Sequence, residues 1–406
     1  MSIPLPLIIC VFALLWVWLY FRHRDIFSPW SVTLLVWVVV ISCYCLIDHG
    51  LFKVTDQFGN CISIWVPCFC GSALLTYRLT PAYKGPAMRQ NKQVIDILTI
   101  LCVVLVPLAL YKTFTFAMAN GSPTDLLYNV RKQVIDKDEG FSLGPLAYFM
   151  YEVYILLLVF CDVEKIDKKR FLLALALCMM FFVMTLSKQM FFRYAFSTMF
   201  ILYARQKISL KPFIIFGALF LVLGLAFTGV RSVEEGHEEE AFTFMDLFGM
   251  YVVSPIIAFC DDMPCSAVHW GENTFRPFYH IAYALGLVSF EPTEMIQEFT
   301  YVGIPTNVYT MMSPYFKDFG YAGILVFSII EGAFIGSIYK LSRTGHTVMR
   351  LFYAYFVFIL AVQFFDELFF QGFSGTIQVI VLLYLCHMKF VFRKPQLLTP
   401  ANVGQS

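Results

Sequence analysis

Long apolar runs, separated by polar links, make up about half of the chain. The runs are about 20 residues long, which is the length that an α-helix needs to cross the hydrocarbon core of a membrane. The pattern predicts an all-α, polytopic integral membrane protein with about 11 transmembrane helices, at residues 4–20, 30–47, 61–79, 94–119, 144–161, 171–186, 192–204, 212–230, 321–341, 351–365 and 373–392.

The two predicted segments between residues 171 and 204 are shorter than most of the others, and Ser187-Lys188-Gln189 lies at the turn between them. This pattern fits either two full crossings or one re-entrant hairpin. The predicted topology of the remaining chain is the same in both interpretations.

One long stretch, residues 231–317, contains Pro, Gly, His, acidic and aromatic residues and has no continuous hydrophobic span. A loop of this length between membrane helices is uncommon unless it is functional. We therefore predict four regions: an N-terminal transmembrane bundle (1–230) with a polar outer loop at 120–142, a long outer loop with a candidate active site (231–317), C-terminal transmembrane helices (318–392) and a tail (393–406).

Composition and charge exclude several classes of protein. The chain is 59% hydrophobic and 14% charged, which is too apolar for a soluble domain of this length. Its net charge of +1 gives no basic excess for binding nucleic acid.

The distribution of basic residues predicts how the protein is oriented in the membrane. Alternate links between the predicted spans hold roughly twice as many Lys and Arg residues as the other links, and cytoplasmic links keep the excess of basic residues. The N-terminus and the long loop are therefore expected on the outer side, which is the periplasm in a Gram-negative cell, and the C-terminus in the cytoplasm.

The chain has 12 cysteines, and most of them lie in apolar spans, where a thiol behaves as a small hydrophobic group. Only Cys260 and Cys265 in the long loop are spaced for a disulfide in an oxidising compartment, and two reduced thiols fit the pattern as well. No spacing of His and Cys resembles a zinc site.

Arginines in or beside the outer loops are candidates for binding an anion. A guanidinium group binds phosphate oxygens through two parallel hydrogen bonds and stays charged at any working pH. The alternative is that each arginine extends to the membrane surface or pairs with a nearby acid such as Asp136 or Glu234. The four candidates are Arg131, Arg193, Arg231 and Arg276.

Three residues are candidates for a general base, and the other outer carboxylates, Glu291, Glu294, Asp366 and Glu367, could also orient a sugar hydroxyl or take its proton. His269 and His280 are candidates because an imidazole can act as a general base, although His280 could equally be a packing residue on an amphipathic helix. Asp318 precedes a predicted span, where it could instead cap free backbone N–H groups. Asn307 and Tyr309 have the hydrogen-bonding and stacking character of carbohydrate sites, or they shape the turn after Pro305.

One part of the sequence resembles a known family. The run Gly303-Ile304-Pro305-Thr306-Asn307-Val308-Tyr309-Thr310, followed by Tyr315, Asp318-Phe319-Gly320 and Gly323, is similar to the signature of Wzy-type O-antigen or oligosaccharide repeat-unit polymerases. Ile26-Phe27-Ser28-Pro29 before the second predicted span, and Arg131 ahead of Gly140, are also similar to that family.

The resemblance implies a GT-C-like fold and a metal-independent glycosyltransferase, without a cofactor, in the bacterial inner membrane. Such an enzyme moves a growing glycan from undecaprenyl pyrophosphate onto the next lipid-linked repeat unit in lipopolysaccharide synthesis. Its partners would be the lipid-linked oligosaccharide, the bilayer, and a chain-length regulator and flippase of the same pathway. The family's outer arginines correspond most directly to Arg131, and after it to Arg193, Arg231 and Arg276. The run Lys188-Gln189-Met190-Phe191-Phe192 departs from the small-residue turn that the family often shows before its mid-chain arginine, which weakens the correspondence for Arg193.

The predicted mechanism has three parts. His269, His280 or Asp318 deprotonates an acceptor sugar hydroxyl, the hydroxyl attacks the anomeric carbon, and the arginines stabilise the departing pyrophosphate. Two other functions fit the same sequence: the ligase that transfers finished O-antigen to lipid A core, and a transporter or flippase for the lipid-linked unit. Paired internal repeats would be typical of a transporter, and the chain shows one dominant asymmetric loop instead.

Overall fold

The structure is a computed structural model, and it describes residues 4–119, 126, 129–130, 143–207, 251–294 and 297–388. Apolar residues without β-sheet periodicity form helices over most of these ranges. The α-helices are α1 (Leu5–His23), α2 (Pro29–Leu46), α3 (Asp56–Leu79), α4 (Lys92–Ala119), α5 (Phe149–Cys161), α6 (Lys168–Thr185), α7 (Lys188–Ala204), α8 (Ser254–Ala258), α9 (Arg276–Ala284), α10 (Ser313–Arg343), α11 (Thr347–Ala361) and α12 (Phe373–Leu385).

Small elements complete the fold. Two 3-10 helices, Gly144–Tyr148 and Phe259–Asp261, precede α5 and follow α8. The antiparallel strands β1 (Thr300–Tyr301) and β2 (Pro305–Thr306) form a two-stranded ribbon, in which Thr300 lies opposite Thr306. Within the described residues, the predicted all-α class therefore holds apart from this ribbon in the long loop.

The described residues contain six helices that are long and apolar enough to cross a membrane: α1, α2, α3, α4, the helical segment Gly144–Cys161, and α10. This finding agrees with an integral membrane protein. Helices α11 and α12 are apolar but shorter. The total of eleven spans and the GT-C-like architecture stay predictions, since the span at 212–230 lies outside the described residues.

The ends of the helices gather at two faces of the bundle. At one face, Asp162 after α5 pairs with Arg205 after α7, at 2.6 Å, and with Arg350 in α11, at 2.7 Å. At the other face, Gln189 in the first turn of α7 donates a hydrogen bond of 3.1 Å to Asp366, which follows α11. We call these the Asp162 face and the Asp366 face.

Helix α7 connects the two faces, which bears on the hairpin formed with α6. Its 17 residues rise about 26 Å, and its two ends contact the same faces as the two ends of α11. Helices α6 and α7 are thus two separate helices, and α7 extends from one face of the bundle to the other, as α11 does. The basic-residue distribution assigns the Asp162 face to the cytoplasm, and that orientation stays a prediction.

Helices α3 and α10 share the most extensive helix contact in the described structure. Gly332 lies against the backbone of Phe69, and Gly336 lies against the backbone of Ala73. The two glycines are four residues apart, so they share one side of α10 and allow the helix backbones to approach closely. Since both contact positions advance together along the chain, the two helices run parallel.

Helix α10 is broken near its start at Gly320, whose φ of 57° and ψ of −143° favour glycine. The carbonyl groups of Phe316 and Lys317, in the turn before this break, accept from the backbone N–H groups of Cys265, at 3.2 Å, and Ala267, at 3.1 Å. The predicted span beginning near Tyr321 therefore corresponds to the second part of a longer helix, and the break anchors the long loop.

Candidate functional site

The segment between α11 and α12, residues 362–372, is the centre of the polar residues on the Asp366 face. Its Glu367 is 1% exposed. The Glu367 carboxylate accepts backbone N–H groups of Phe369, Phe370 and Gln371 at 2.7, 2.8 and 2.9 Å. Three N–H donors stabilise a buried negative charge. Burial raises the pKa of Glu367, and these donors oppose that shift.

A tyrosine hydroxyl joins Glu367 to a second buried glutamate. Tyr315 Oη lies 2.9 Å from Glu367 and 2.5 Å from Glu331 in α10. The hydroxyl has one proton and can donate to only one carboxylate. Because Glu367 already accepts three N–H groups, it is the stronger candidate for the anion, and a proton on Glu331 then satisfies the second hydrogen bond. We call Glu331, Tyr315 and Glu367 the proton-sharing triad.

Asp366, next to the triad, is only half-buried. Its Oδ2 accepts the hydrogen bond from Gln189. Burial and the adjacent charge of Glu367 raise the pKa of Asp366 to about 7, although the charge of Arg276 opposes the shift. A partly exposed carboxyl group with a pKa near neutral pH can take up a proton from a bound molecule.

Arg276 is the first residue of α9 and is 4% exposed. Its Nη1 donates to the carbonyl oxygen of Glu294 at 2.6 Å, and its charge acts on both Asp366 and Glu367. Since the carboxyl groups favour the charged guanidinium, they offset part of the cost of its burial. The structure therefore brings one predicted phosphate-binding arginine beside the 362–372 segment.

Asp318 positions the start of α9. Its carboxylate accepts the backbone N–H and the side-chain amide of Asn273, at 3.2 and 2.8 Å, and the backbone N–H of Thr274, at 2.6 Å. The suggestion that Asp318 caps the helix following Gly320 is therefore wrong. Its carboxylate binds N–H groups of the chain ahead of Arg276 instead. Its role as a base stays an untested prediction.

Arg193 lies in α7, one turn after Gln189, and is 7% exposed. Its guanidinium carbon lies 5.4 Å from the ring centroid of Tyr151, 5.7 Å from that of Tyr355 and 5.3 Å from that of Phe358. In the part of the chain that the structure describes, its Nε and Nη1 have no hydrogen-bond partner. A buried guanidinium with free donors is suited to an anionic ligand.

The remaining predicted site residues lie in or beside the long loop. His269 stacks on Phe290 with ring centroids 3.6 Å apart, and the exposed His280 contacts the carbonyl oxygen of Thr293 at 3.2 Å. Their contacts within the described ranges tie both histidines to the long loop itself and not to Arg193 or Asp366.

Two predicted carbohydrate contacts follow β2. Asn307 is half-buried, whereas Tyr309 is buried and donates its hydroxyl proton to the carbonyl oxygen of Glu298 at 3.1 Å. Lys317 Nζ lies 4.6 Å from the centroid of the Tyr309 ring. Arg131 and Arg231 lie outside the described residues, so their predicted roles stay predictions.

Glu331 and Gln189 are not among the site residues predicted from the sequence. A signal for Glu331 was present, because a lone carboxylate inside the apolar run 321–341 is costly unless it is paired or functional. Gln189 carried no comparable signal, since its contact with Asp366 joins residues 177 positions apart.

The described ranges show neither a candidate metal site nor a disulfide. They contain no group of three or more His, Cys, Asp or Glu side chains that could hold a metal ion. Cys260 and Cys265 are both free thiols, which agrees with the reduced alternative. Metal independence stays a prediction.

Fold and site together define the class of protein: an integral membrane protein with buried arginines and carboxyl groups at one face. Among curated proteins, the chain is similar to one from Escherichia coli (strain K12) that is named "Putative O-antigen polymerase". The two are 32% identical over 131 residues, which are 32% of this chain and 33% of the relative. The matched part therefore spans about a third of that protein's length. No family model matches the chain. No solved structure matches it either.

Proposed function

We propose that this protein polymerises undecaprenyl-pyrophosphate-linked oligosaccharide repeat units into O-antigen, or a related surface polysaccharide, at the periplasmic side of the bacterial inner membrane. The similarity to the Escherichia coli protein carries the proposal, since its printed name is that of an O-antigen polymerase. The resemblance of residues 303–323 to the Wzy-type signature supports the same function.

The two described arginines support a lipid-linked diphosphate as the donor. Arg193 has two buried nitrogens without hydrogen-bond partners in the described chain. Arg276 interacts electrostatically with Asp366, whose side chain is half-buried. As the bond from the anomeric carbon to the diphosphate breaks, negative charge grows on the departing oxygen. Guanidinium groups fixed in a site of low polarity stabilise that charge.

The apolar outer surface of the helices supports lipid-linked substrates. Large exposed side chains include Leu14 and Trp18 on α1 and Val104 and Tyr111 on α4. Such surfaces face hydrocarbon in a membrane, so a polyprenyl chain can lie along them while its diphosphate reaches the Asp366 face.

The proposal is tested by deleting the gene from its host and analysing lipopolysaccharide on a gel. A polymerase deletion leaves lipid A core with a single repeat unit, and the wild-type gene restores the ladder. A ligase deletion leaves lipid A core without any unit, and loss of the flippase keeps the lipid-linked units on the cytoplasmic side. Either of these two outcomes would overturn the proposal.

The arginines are tested in the same strain. Arg193→Gln and Arg276→Gln remove a guanidinium and should abolish the ladder, whereas Arg78→Gln, at the end of α3, is a control that should restore it. If both site variants restore a full ladder, the pyrophosphate contacts proposed for them are wrong.

A further inference from the structure

Two adjacent carboxyl groups on the Asp366 face differ in how their oxygens are used. Glu367 is buried and its oxygens accept from three backbone N–H groups and the Tyr315 hydroxyl. Asp366 is half-buried, and its Oδ2 accepts from the side-chain amide of Gln189. Glu367 therefore has little capacity left for a ligand, while Asp366 can contact one.

On the basis of the function proposed above, we infer that Asp366 is the general base that takes the proton of the acceptor sugar hydroxyl. The proton-sharing triad and Gln189 are positioning residues, because they hold the 362–372 segment and orient the Asp366 carboxylate. This assigns the catalytic proton transfer to a residue outside the long loop.

The chemical step balances without a further reactant. The acceptor hydroxyl oxygen forms a bond to the anomeric carbon of the donor, and its proton moves to an oxygen of Asp366. The bond between the anomeric carbon and the diphosphate oxygen breaks, and its electron pair leaves with undecaprenyl pyrophosphate. Asp366 then releases the proton to water, to which its half-buried side chain has access.

The charges around Asp366 suit this role. The buried negative charge of Glu367 disfavours a second charge next to it, and burial acts in the same direction. Arg276 opposes both effects, so the pKa of Asp366 is about 7 and the carboxylate is present at neutral pH. A base whose pKa is close to the working pH combines availability with driving force for proton transfer.

The alternative bases have less suitable surroundings. The Asp318 carboxylate is engaged by Asn273 and Thr274, and its bonds hold the chain ahead of Arg276. His280 is exposed and contacts the Thr293 carbonyl oxygen, and His269 is stacked on Phe290. Only Asp366 among these four residues shares described interactions with both α7 and α9.

The test uses the full-length protein in lipid nanodiscs with a lipid-linked repeat unit as substrate. Asp366→Asn should lower the rate of polymerisation on the order of 10²- to 10⁴-fold, the usual contribution of a positioned base. Its affinity for undecaprenyl pyrophosphate should not fall. The matched control is Glu291→Gln, which neutralises an exposed outer carboxylate and should leave the rate unchanged.

A second variant and a pH profile keep the inference testable if Asp366→Asn does not fold. The wild-type rate should rise as pH increases through about 7, as the carboxyl group loses its proton, and Asp366→Glu should retain partial activity with a shifted midpoint. If Asp366→Asn retains a rate within about threefold of the wild type, or loses donor affinity, the assignment is wrong. Likewise, an unshifted profile in an active Asp366→Glu variant contradicts it.

The two proposals fail in different ways. If the wild-type protein makes no polymer, the proposed function itself is wrong. If the wild type makes polymer and Asp366→Asn does as well, only the assignment of the base is wrong.

Discussion

The close contact between α3 and α10 allows us to predict how much stability the protein loses when Gly336 is replaced by alanine. A Cβ atom at this position would lie 2.7 Å from Ala73 Cα and 2.6 Å from Thr76 Oγ1. Ordinary contacts between carbon atoms are roughly 3.5–4 Å, so Gly336→Ala forces the two helices apart by about 1 Å. Overpacking of this kind typically costs about 1–3 kcal/mol of the free energy of unfolding.

Gly71→Ala in α3 is the matched control, because a Cβ atom there meets nothing within 4 Å. Both substitutions gain the same helix propensity of alanine over glycine, about 1 kcal/mol, so this gain cancels when the two variants are compared. Gly336→Ala should therefore be less stable than Gly71→Ala by about 1–3 kcal/mol. Denaturant titration of the purified protein in mixed micelles, followed by tryptophan fluorescence, measures the difference. Equal unfolding midpoints for the two variants would refute the packing argument.

Two further predictions concern carboxylates of the long loop and α10. Asp318→Asn removes at least one charge-assisted hydrogen bond to Asn273 or Thr274, so it should cost about 1.5–3 kcal/mol of stability and leave the pH profile of polymerisation unchanged. Loss of activity at an unchanged unfolding midpoint would instead show a catalytic role. Burial raises the pKa of Asp262 to about 6 although Lys317 lies 3.1 Å away. Because this folded-state pKa lies above the unfolded value, the stabilising contribution is present at low pH and is lost as pH rises from about 4 to about 6. The unfolding temperature of Asp262→Asn in detergent should thus rise relative to that of the wild type as pH increases across that range. A difference in unfolding temperature that does not change with pH would contradict the pKa shift.

The helices were predictable because crossing a membrane is a property of local composition. The predicted spans at 30–47, 61–79 and 94–119 lie within a few residues of α2, α3 and α4. The helix after the long loop was less well predicted, since α10 starts at Ser313 and breaks at Gly320. Its first turns are less apolar than the rest, and they form a helix because they pack against the long loop.

The candidate site was only partly predictable. Arg193 and Arg276 stood out because arginine is scarce in the predicted outer loops, and the structure buries both beside carboxyl groups or aromatic rings. The function of Asp318 in the fold was misjudged, because its partners are 44 and 45 residues away in the chain. A sequence pattern carries no information about a contact at that separation.

The hydrophobic runs by themselves indicated a membrane protein and the positions of many of its helices. The reason is that a segment crossing hydrocarbon must satisfy its own backbone hydrogen bonds, as a helix does. Tertiary structure decided which charges meet. Gln189, Arg276, Tyr315, Glu331 and Asp366 come from α7, α9, α10 and the segment after α11, and only the packing of those helices brings them to one face. The physical reason is that burial of a charge depends on its neighbours in space, which the chain sets through packing and not through local order.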